Sequence, residues 1–463
     1  MWRSLMTASL VTLALGYSNV TAAEDYSPYK LRPEWQGPCK RAKVIDVNLG
    51  NSPEAFVDAA SCQIGGATLY PESRNGWIER LKTEASVRRV DVVHEICAHV
   101  GRKSCEVRYS DPWQTYPQPD VTACEKRFNR DIGAVVMFFF HCPHGTNCEM
   151  NWAADHVHGM ETPAPELGGY YTADQAGFWR YELRNAKAAG LQFILPNFYG
   201  PDMQSGQIDT LAAALGGGDG AVKVGLFDDS WAWGHAKFGK PWADASDLSD
   251  IEKSAKILYE NKWKPYFLKV PKEAWYRIGG RPLIYFYNAG TLKPANRAAA
   301  VIARMKAMFA ADFGVEPFVA VDDAFFADPG MTKVADSRFR WDTLAGDFHS
   351  PDGMLSVDNR LSQSQMSGRM MANGFVRWDS HNRDHRDKPG DQIAIFDDRT
   401  IKGDELLQSV LDRTQGADNL LLQTFNDLGE GTGVDLAYDY YAKGAWLRPD
   451  HFLRQIRAAN CQN

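Results

Sequence analysis

The chain has 463 residues, 44% of them hydrophobic and 24% charged, with 58 acidic against 51 basic side chains and a formal net charge of -7 at pH 7. That balance excludes a nucleic-acid partner, because neutralising phosphates needs a basic face that the sequence lacks. No segment beyond the N-terminal leader reaches the roughly 18 apolar residues of a membrane helix, so no membrane span is expected.

The chain opens with Met1, Trp2 and Arg3, then an apolar run from Leu5 to Leu15 and the small residues Thr21, Ala22 and Ala23. A basic start, apolar middle and small-residue end make a secretory signal over residues 1–23. The mature protein is therefore expected to begin near Glu24, outside the cytoplasm, secreted or periplasmic. Its cysteines, Cys39, Cys62, Cys97, Cys105, Cys124, Cys142, Cys148 and Cys461, form an even set of eight. In an oxidising compartment they are read as disulfides. Cys97 with Cys105 and Cys142 with Cys148 are candidate local pairs, and Cys461 is expected to tie the C-terminus back to the N-terminal part. A metal site at His141, Cys142, His144 and Cys148 is the rival reading, although the spacing fits no standard zinc pattern. Residues 24–130 are set apart as a cysteine-rich region, helical between Ser52 and Cys97.

From Asp131 to the end, short apolar runs alternate with amphipathic stretches, the signature of βα units around a parallel sheet. Expected strands are Ile132 to Phe140, Leu191 to Leu195, Ala221 to Phe227, Pro282 to Tyr287, Pro317 to Val321, Gln392 to Phe396 and Asn419 to Phe425. Arg338 to Trp341 and Phe375 to Trp378 compete for one more place. Helices are expected from Asp174 to Ala189, with a capping box at Thr172 and Gln175; from Ile251 to Asn261, with one at Ser249 and Glu252; from Pro294 to Ala311; and from Pro449 to Ala459. The count favours a (β/α)8 TIM barrel over an open doubly wound sheet, since no glycine-rich phosphate loop lies between a strand and a helix.

Such barrels carry their chemistry at the C-terminal ends of the strands. The residues there are polar and aromatic: Asn197 and Tyr199; Asp228, Asp229 and Trp231; Asn288; Asp322 and Asp323; Asp397 and Asp398; and Asn426, Asp427 and Glu430. A single acidic pair at such a place commonly caps a helix, but several pairs converging on one mouth suit glycoside hydrolysis, in which one carboxyl protonates the leaving oxygen and a second acts as base or nucleophile. Trp231, Trp233 and Trp378 are candidate platforms for sugar rings.

The segment Thr424-Phe425-Asn426-Asp427-Leu428-Gly429-Glu430-Gly431-Thr432 resembles the last-strand motif of glycoside hydrolase family 99, the endo-α-mannosidase and endo-α-mannanase family, close to S-F-N-E-W-H-E-G-T. Gly169-Tyr170-Tyr171, Ala186 to Gly190, Asn197-Phe198-Tyr199-Gly200 and the Gly280-Arg281-Pro282 strand entry are similar to further motifs of that family, in order, over roughly residues 131–440. The resemblance implies Glu430 as general acid and base and Asp427 in the place of a glutamate that assists through the sugar 2-hydroxyl, with retention of configuration. Asp427 is one methylene shorter, and Leu428-Gly429 replaces a Trp-His pair, so reaction class carries over and the sugar does not. The sites expected are thus catalytic Glu430 and Asp427, with Tyr171, Tyr199, Asp228, Asp229, Trp231, Asp322, Asp323, Trp378 and Asn426 around a carbohydrate substrate, with no cofactor and no metal. Two rivals stand beside this reading. One is a metal-dependent barrel hydrolase using His156 and His158, or His381 and His385; the other is a non-catalytic glycan-binding barrel.

Overall fold

The computed structural model describes residues 121–138, 173, 176–218, 220–229, 247–287, 292–341, 361–375, 403–427, 432–441 and 450–462, together with short strands within 29–110, 161–171 and 445–447. The main sheet is mixed and nearly closed into a barrel. Its strands in chain order are β1 (Asp131–Val136), β2 (Phe193–Phe198), β3 (Leu226–Asp229), β4 (Arg281–Tyr287), β5 (Phe318–Asp322), β6 (Ser337–Phe339), β7 (Leu361–Met366), β8 (Arg369–Phe375) and β9 (Asn419–Gln423). Hydrogen-bonded neighbours run β6-β5-β4-β3-β2-β1-β9-β8-β7, every pair parallel except the β7–β8 hairpin. The path ends where β6 lies against β7 and β8. No backbone ladder joins β6 to β8; instead the Asn373 amide on β8 donates to the Arg340 carbonyl at 2.5 Å and accepts from its N–H at 3.5 Å. One side chain thus imitates a strand's hydrogen-bonding edge across the seam.

Register decides what faces inward. The pairs Phe193↔Gly133 and Leu421↔Gly133 set β2, β1 and β9 in one row, and Asn197↔Phe227 and Phe227↔Tyr285 continue it into β3 and β4. Because side chains alternate along a strand, the inner face carries Asp131, Gly133 and Val135; Phe193, Leu195 and Asn197; Phe227 and Asp229; Leu283, Tyr285 and Tyr287; Ser337 and Phe339; and Asn419, Leu421 and Gln423. The interior is filled by stacked rings: Phe193 on Tyr276 with centroids 4.1 Å apart, and Phe227 against Tyr285, Phe339 and Trp341. Gly133 and Gly225 make room for this packing. A Cβ on Gly133 would come 2.3 Å from the Phe193 ring, and one on Gly225 would come 2.6 Å from Leu195.

The outer face packs on helices: α1 (Ala176–Ala188), α2 (Pro201–Gly217), α3 (Ile251–Leu258), α4 (Lys264–Lys269), α5 (Ala298–Phe313), the short α6 (Met331–Val334), α7 (Gly403–Arg413) and α8 (His451–Asn460). Trp179 of α1 is wholly buried, tilted against Phe138, with its indole N–H donating to the Gln207 carbonyl, so this tryptophan belongs to the core. Helix α2 is not evident in the sequence, since Gly206 and the terminal glycines weaken its helical propensity. The helix at Ile251 is capped by Asp250, whose carboxylate accepts from the Lys253 N–H, and not by Ser249. It runs past Asn261 through a π turn, Tyr259–Trp263, into α4. Pro265, which lacks an N–H and crowds the carbonyl four residues back, is the local cause of that wider turn.

Other boundaries also move. Residues 221–227 divide at Gly225 into the short strand Lys223–Val224 and β3, and the proline end of the helix at 294 is a 3-10 turn, Ala295–Arg297, before α5. Of the two segments read as competing, Arg338 to Trp341 falls at β6, whereas Phe375 is the last residue of β8 and residues 376–378 lie outside the described residues; the β7–β8 hairpin was not anticipated. Within the stretch read as helical near the N-terminus, Cys62–Ile64 and Ala67–Leu69 pair as antiparallel strands. The expected strand at Gln392 to Phe396, the capping residues Thr172 and Gln175 and the cysteine pairs Cys97–Cys105 and Cys142–Cys148 lie outside the described residues.

Cys461 does reach back, to Cys124, with Cα atoms 5.2 Å apart. The same ends pair as strands, Cys461 with Lys126 and Gln462 with Glu125. Gly190, at φ 73°, ends the turn after α1 directly over this bond, where a Cβ would lie 2.5 Å from the Cys461 sulfur. Among the described residues no helix is long and apolar enough to cross a membrane.

Candidate functional site

The C-terminal ends of the parallel strands, the mouth, gather the polar residues that the strand alternation turns inward. Tyr199 follows β2, and its hydroxyl is held well above the ordinary phenol range, first by burial and then by the negative charges of Asp229 and Asp427 and by Tyr287. The charges that act on it come from residues at the ends of β3, β4 and β9. Tyr287 in turn packs on Trp341, centroids 5.3 Å apart, and the Trp341 N–H donates to Asp322 at 3.2 Å. The other Asp322 oxygen caps the turn after β5 by accepting from Ala324.

Asp427 is buried, 6% exposed, at the turn leaving β9. Thr424 builds this turn: its hydroxyl accepts from the Asp427 N–H at 2.9 Å and shares a hydrogen bond with the Thr432 hydroxyl, while the Thr432 N–H donates to the Asp427 carbonyl. Asn426 anchors the turn to β1, since its amide accepts from the Met137 N–H at 2.6 Å and donates to the Met137 carbonyl at 3.0 Å. This is the device seen at the β6–β8 seam, used here to fix the carboxylate beside it.

Asp228 and Asp229, adjacent in sequence, part company. Asp229 faces the mouth. Asp228 faces the helix layer, wholly buried, where it accepts from the Trp263 indole N–H at 2.7 Å and pairs with Lys262. The π turn presents these two consecutive side chains to one carboxylate, and Lys262 also donates to the Asp229 carbonyl at 2.7 Å. Burial pushes the Asp228 carboxyl up and the Lys262 ammonium down, each opposed by the partner's charge. Asp228 thus holds α3–α4 to the end of β3 and fixes the peptide of Asp229. Asp323 is half-buried and paired with Arg338.

Behind the Asp427 turn lies a second carboxyl pair, which the sequence reading missed. Glu182 of α1 is wholly buried and Asp435 is 5% exposed. Asp435 accepts from the Asn185 amide at 2.8 Å, and its N–H donates to the Phe425 carbonyl at 2.9 Å, tying the chain after the turn to the residue before Asn426. Burial first, then the Asp435 charge, raises Glu182 well above the carboxylate range, while a hydrogen bond from Asn426 opposes the rise. Burial likewise lifts Asp435 to about 7 against the pull of Leu436, Asn185 and Arg184. A helix glutamate that falls at (i, i+3) from an asparagine is the faint sequence signal for such a pair.

Of the residues singled out from the sequence, Asp229 and Asp427 act by their charge on Tyr199, and Asp322 is tied to the Trp341 that packs on Tyr287. Asp228 turns outward, Asp323 pairs at the rim, and the Asn426 amide is occupied by Met137. Glu430, Trp231, Trp378, the Tyr171 side chain, Asn288, Asp397, Asp398 and the four histidines of the metal reading lie outside the described residues. Tyr287 and Trp341 belong to the mouth and were hidden within apolar strand sequence.

No curated protein matches the chain. Similar solved structures include the endo-α-mannosidase of glycoside hydrolase family 99 from Bacteroides thetaiotaomicron in complex with bis-tris-propane, at 14% identity over 71% of this chain and 95% of that one, TM-score 0.46. A second structure of that enzyme gives 14% identity, 71% and 96% coverage and a TM-score of 0.47. A glycoside hydrolase-like protein is 16% identical over 76% of this chain and 98% of that one, TM-score 0.47. A family model matches residues 166–443, from just before α1 to beyond the Asp427 turn, and the chain belongs to the family that it describes, Domain of unknown function (DUF5010).

Proposed function

We propose that the chain is an exported glycoside hydrolase on a (β/α)8 barrel whose sheet carries one side-chain-bridged seam, acting on a poly- or oligosaccharide. The observation that carries this reading is the buried Asp427 at the end of the last strand, in a turn fixed by Thr424 and Asn426, its charge acting with that of Asp229 on Tyr199. The likeness of residues 424–432 to the family 99 motif supports Glu430 as the acid and base at the glycosidic oxygen.

In this mechanism Glu430 gives its proton to the departing oxygen as the glycosidic bond breaks, and Asp427 either takes the proton of the 2-hydroxyl, whose oxygen bonds to the anomeric carbon and regains that proton when water opens the ring, or itself bonds to the anomeric carbon from the opposite side. Water, deprotonated by Glu430, then completes hydrolysis with retention. Tyr199, kept protonated first by burial and then by its acidic neighbours, offers a hydrogen-bond donor to the substrate. Trp231 and Trp378 are the candidate stacking faces for sugar rings, and Tyr171, Asp322 and Asp323 further candidate substrate contacts. Product release from mannan, glucan and galactan oligosaccharides, followed by NMR of the first-formed anomer, tests the reading. Retained products from the native protein and none from Glu430→Gln support it; binding without turnover by the native protein assigns a glycan-binding role instead.

A further inference from the structure

Gln423, the last residue of β9, is wholly buried, and neither its amide oxygen nor its amide nitrogen has a hydrogen-bond partner among the described residues. Other buried amides there differ: Asn373, Asn197, Asn426 and Asn419 each engage at least one partner, at Arg340, Met137 Sδ, the Met137 peptide and the Tyr276 hydroxyl. Gln423 alone among the buried amides of the described residues leaves both atoms unmatched. Buried polar groups are almost always paired, and one left bare is destabilising. Such a residue at the end of a barrel strand points to a ligand that completes it.

Its direction follows from register. Asn419 faces inward, since its amide meets the Tyr276 hydroxyl beside Asp131 within the barrel. Leu421 and Gln423 share that face. One step beyond the pair Leu422↔Ala134, Gln423 adjoins Val135, and Val135 adjoins Leu195, both apolar and wholly buried. On the β1 side its neighbours thus offer no side-chain donor or acceptor, and on the other side it is registered with Phe375 of β8. Four residues on stands Asp427, and the intervening Thr424 hydroxyl holds the Asp427 N–H.

We propose that Gln423 is a substrate-binding residue, its amide receiving sugar hydroxyl groups in the floor of the mouth beneath Asp427. This rests on the glycosidase reading and deepens it. A carboxamide presents a donor and an acceptor side by side, which matches two adjacent hydroxyls of a pyranose, one accepting and the other donating. An apolar residue would pack better against Val135 and Leu195 but could not read those hydroxyls. Stability is then given up at this position for recognition.

Thermal unfolding and isothermal titration of the native protein and of Gln423→Met and Gln423→Leu test the proposal, with oligosaccharide pools released from mannan, glucan and galactan as probes. The proposal expects both variants to melt about 1–3 °C higher than the native protein and to bind the recognised pool about tenfold or more weakly. Unchanged binding in both variants overturns it. Lower melting temperatures also overturn it, because the amide would then be satisfied within the fold. If the native protein binds none of the pools, the glycosidase reading falls and this proposal falls with it; if native binding is clear and the variants bind as the native protein does, glycan recognition by the chain stands and Gln423 is excluded.

Discussion

The floor and the mouth of the same sheet are built from similar residues to opposite ends. At the floor, the Tyr276 hydroxyl donates to Asp131 at 2.6 Å and accepts from Asn419 at 2.6 Å, and Lys126 neutralises Asp131 from outside. At the mouth, Asp229 and Asp427 crowd one tyrosine, and the Gln423 amide has no partner among the described residues. A polar group inside a barrel is affordable when its neighbours complete it. Where they do not, the surrounding fold must hold it in place, and the outer anchors Asp228–Lys262 and Asn426–Met137 do so.

The sharpest way to break this contrast is at the mouth. Glu430→Gln should lower glycan turnover by about a thousandfold or more while leaving the melting temperature within about a degree, measured by product release and calorimetry. Loss of fold together with activity would erase the distinction. At the floor the opposite is expected: Gly133→Ala drives a methyl into the Phe193 ring and should destabilise the protein by about 3 kcal/mol in urea unfolding, with turnover per folded molecule unchanged.

Between these lies the Glu182–Asp435 pair. Both carboxyls are raised in the folded state, Asp435 to about 7 against about 3.9 in an unfolded chain. Folding therefore binds protons, and the stability this contributes is fully present below about pH 4 and lost as the pH rises through about 7. Unfolding free energy should decline over that window by on the order of 4 kcal/mol, and Glu182→Gln should flatten the decline; a native profile that is flat or rising there would refute the linkage. The smallest effect is expected from Tyr276→Phe, about 1 kcal/mol from the two hydrogen bonds it removes, with no change in the pH dependence of turnover.

Much of the sheet was legible because buried parallel strands read as continuous apolar runs, as in Arg281–Tyr287 and Phe318–Asp322. The same property hid parts of the site. Tyr287 and Trp341 look like strand residues, and only the closing of the sheet packs them on one another beside Phe227. Adjacent Asp228 and Asp229 were given one role, although the period of two already places them on opposite faces. The π turn follows from Pro265, but its partnership with Asp228 depends on where α3–α4 crosses the sheet, which no local pattern encodes. Gln423 was read as an interior strand residue; what marks it is the absence of a partner, a property of the folded surroundings.

The bond between Cys124 and Cys461, 337 residues apart in sequence, makes the whole sheet and its helices a covalent ring. A protease that cuts once anywhere between them, in any of the loops around the mouth, opens the ring without releasing a fragment. Nicked protein would keep both pieces of its sheet joined until a reductant reached that single bond.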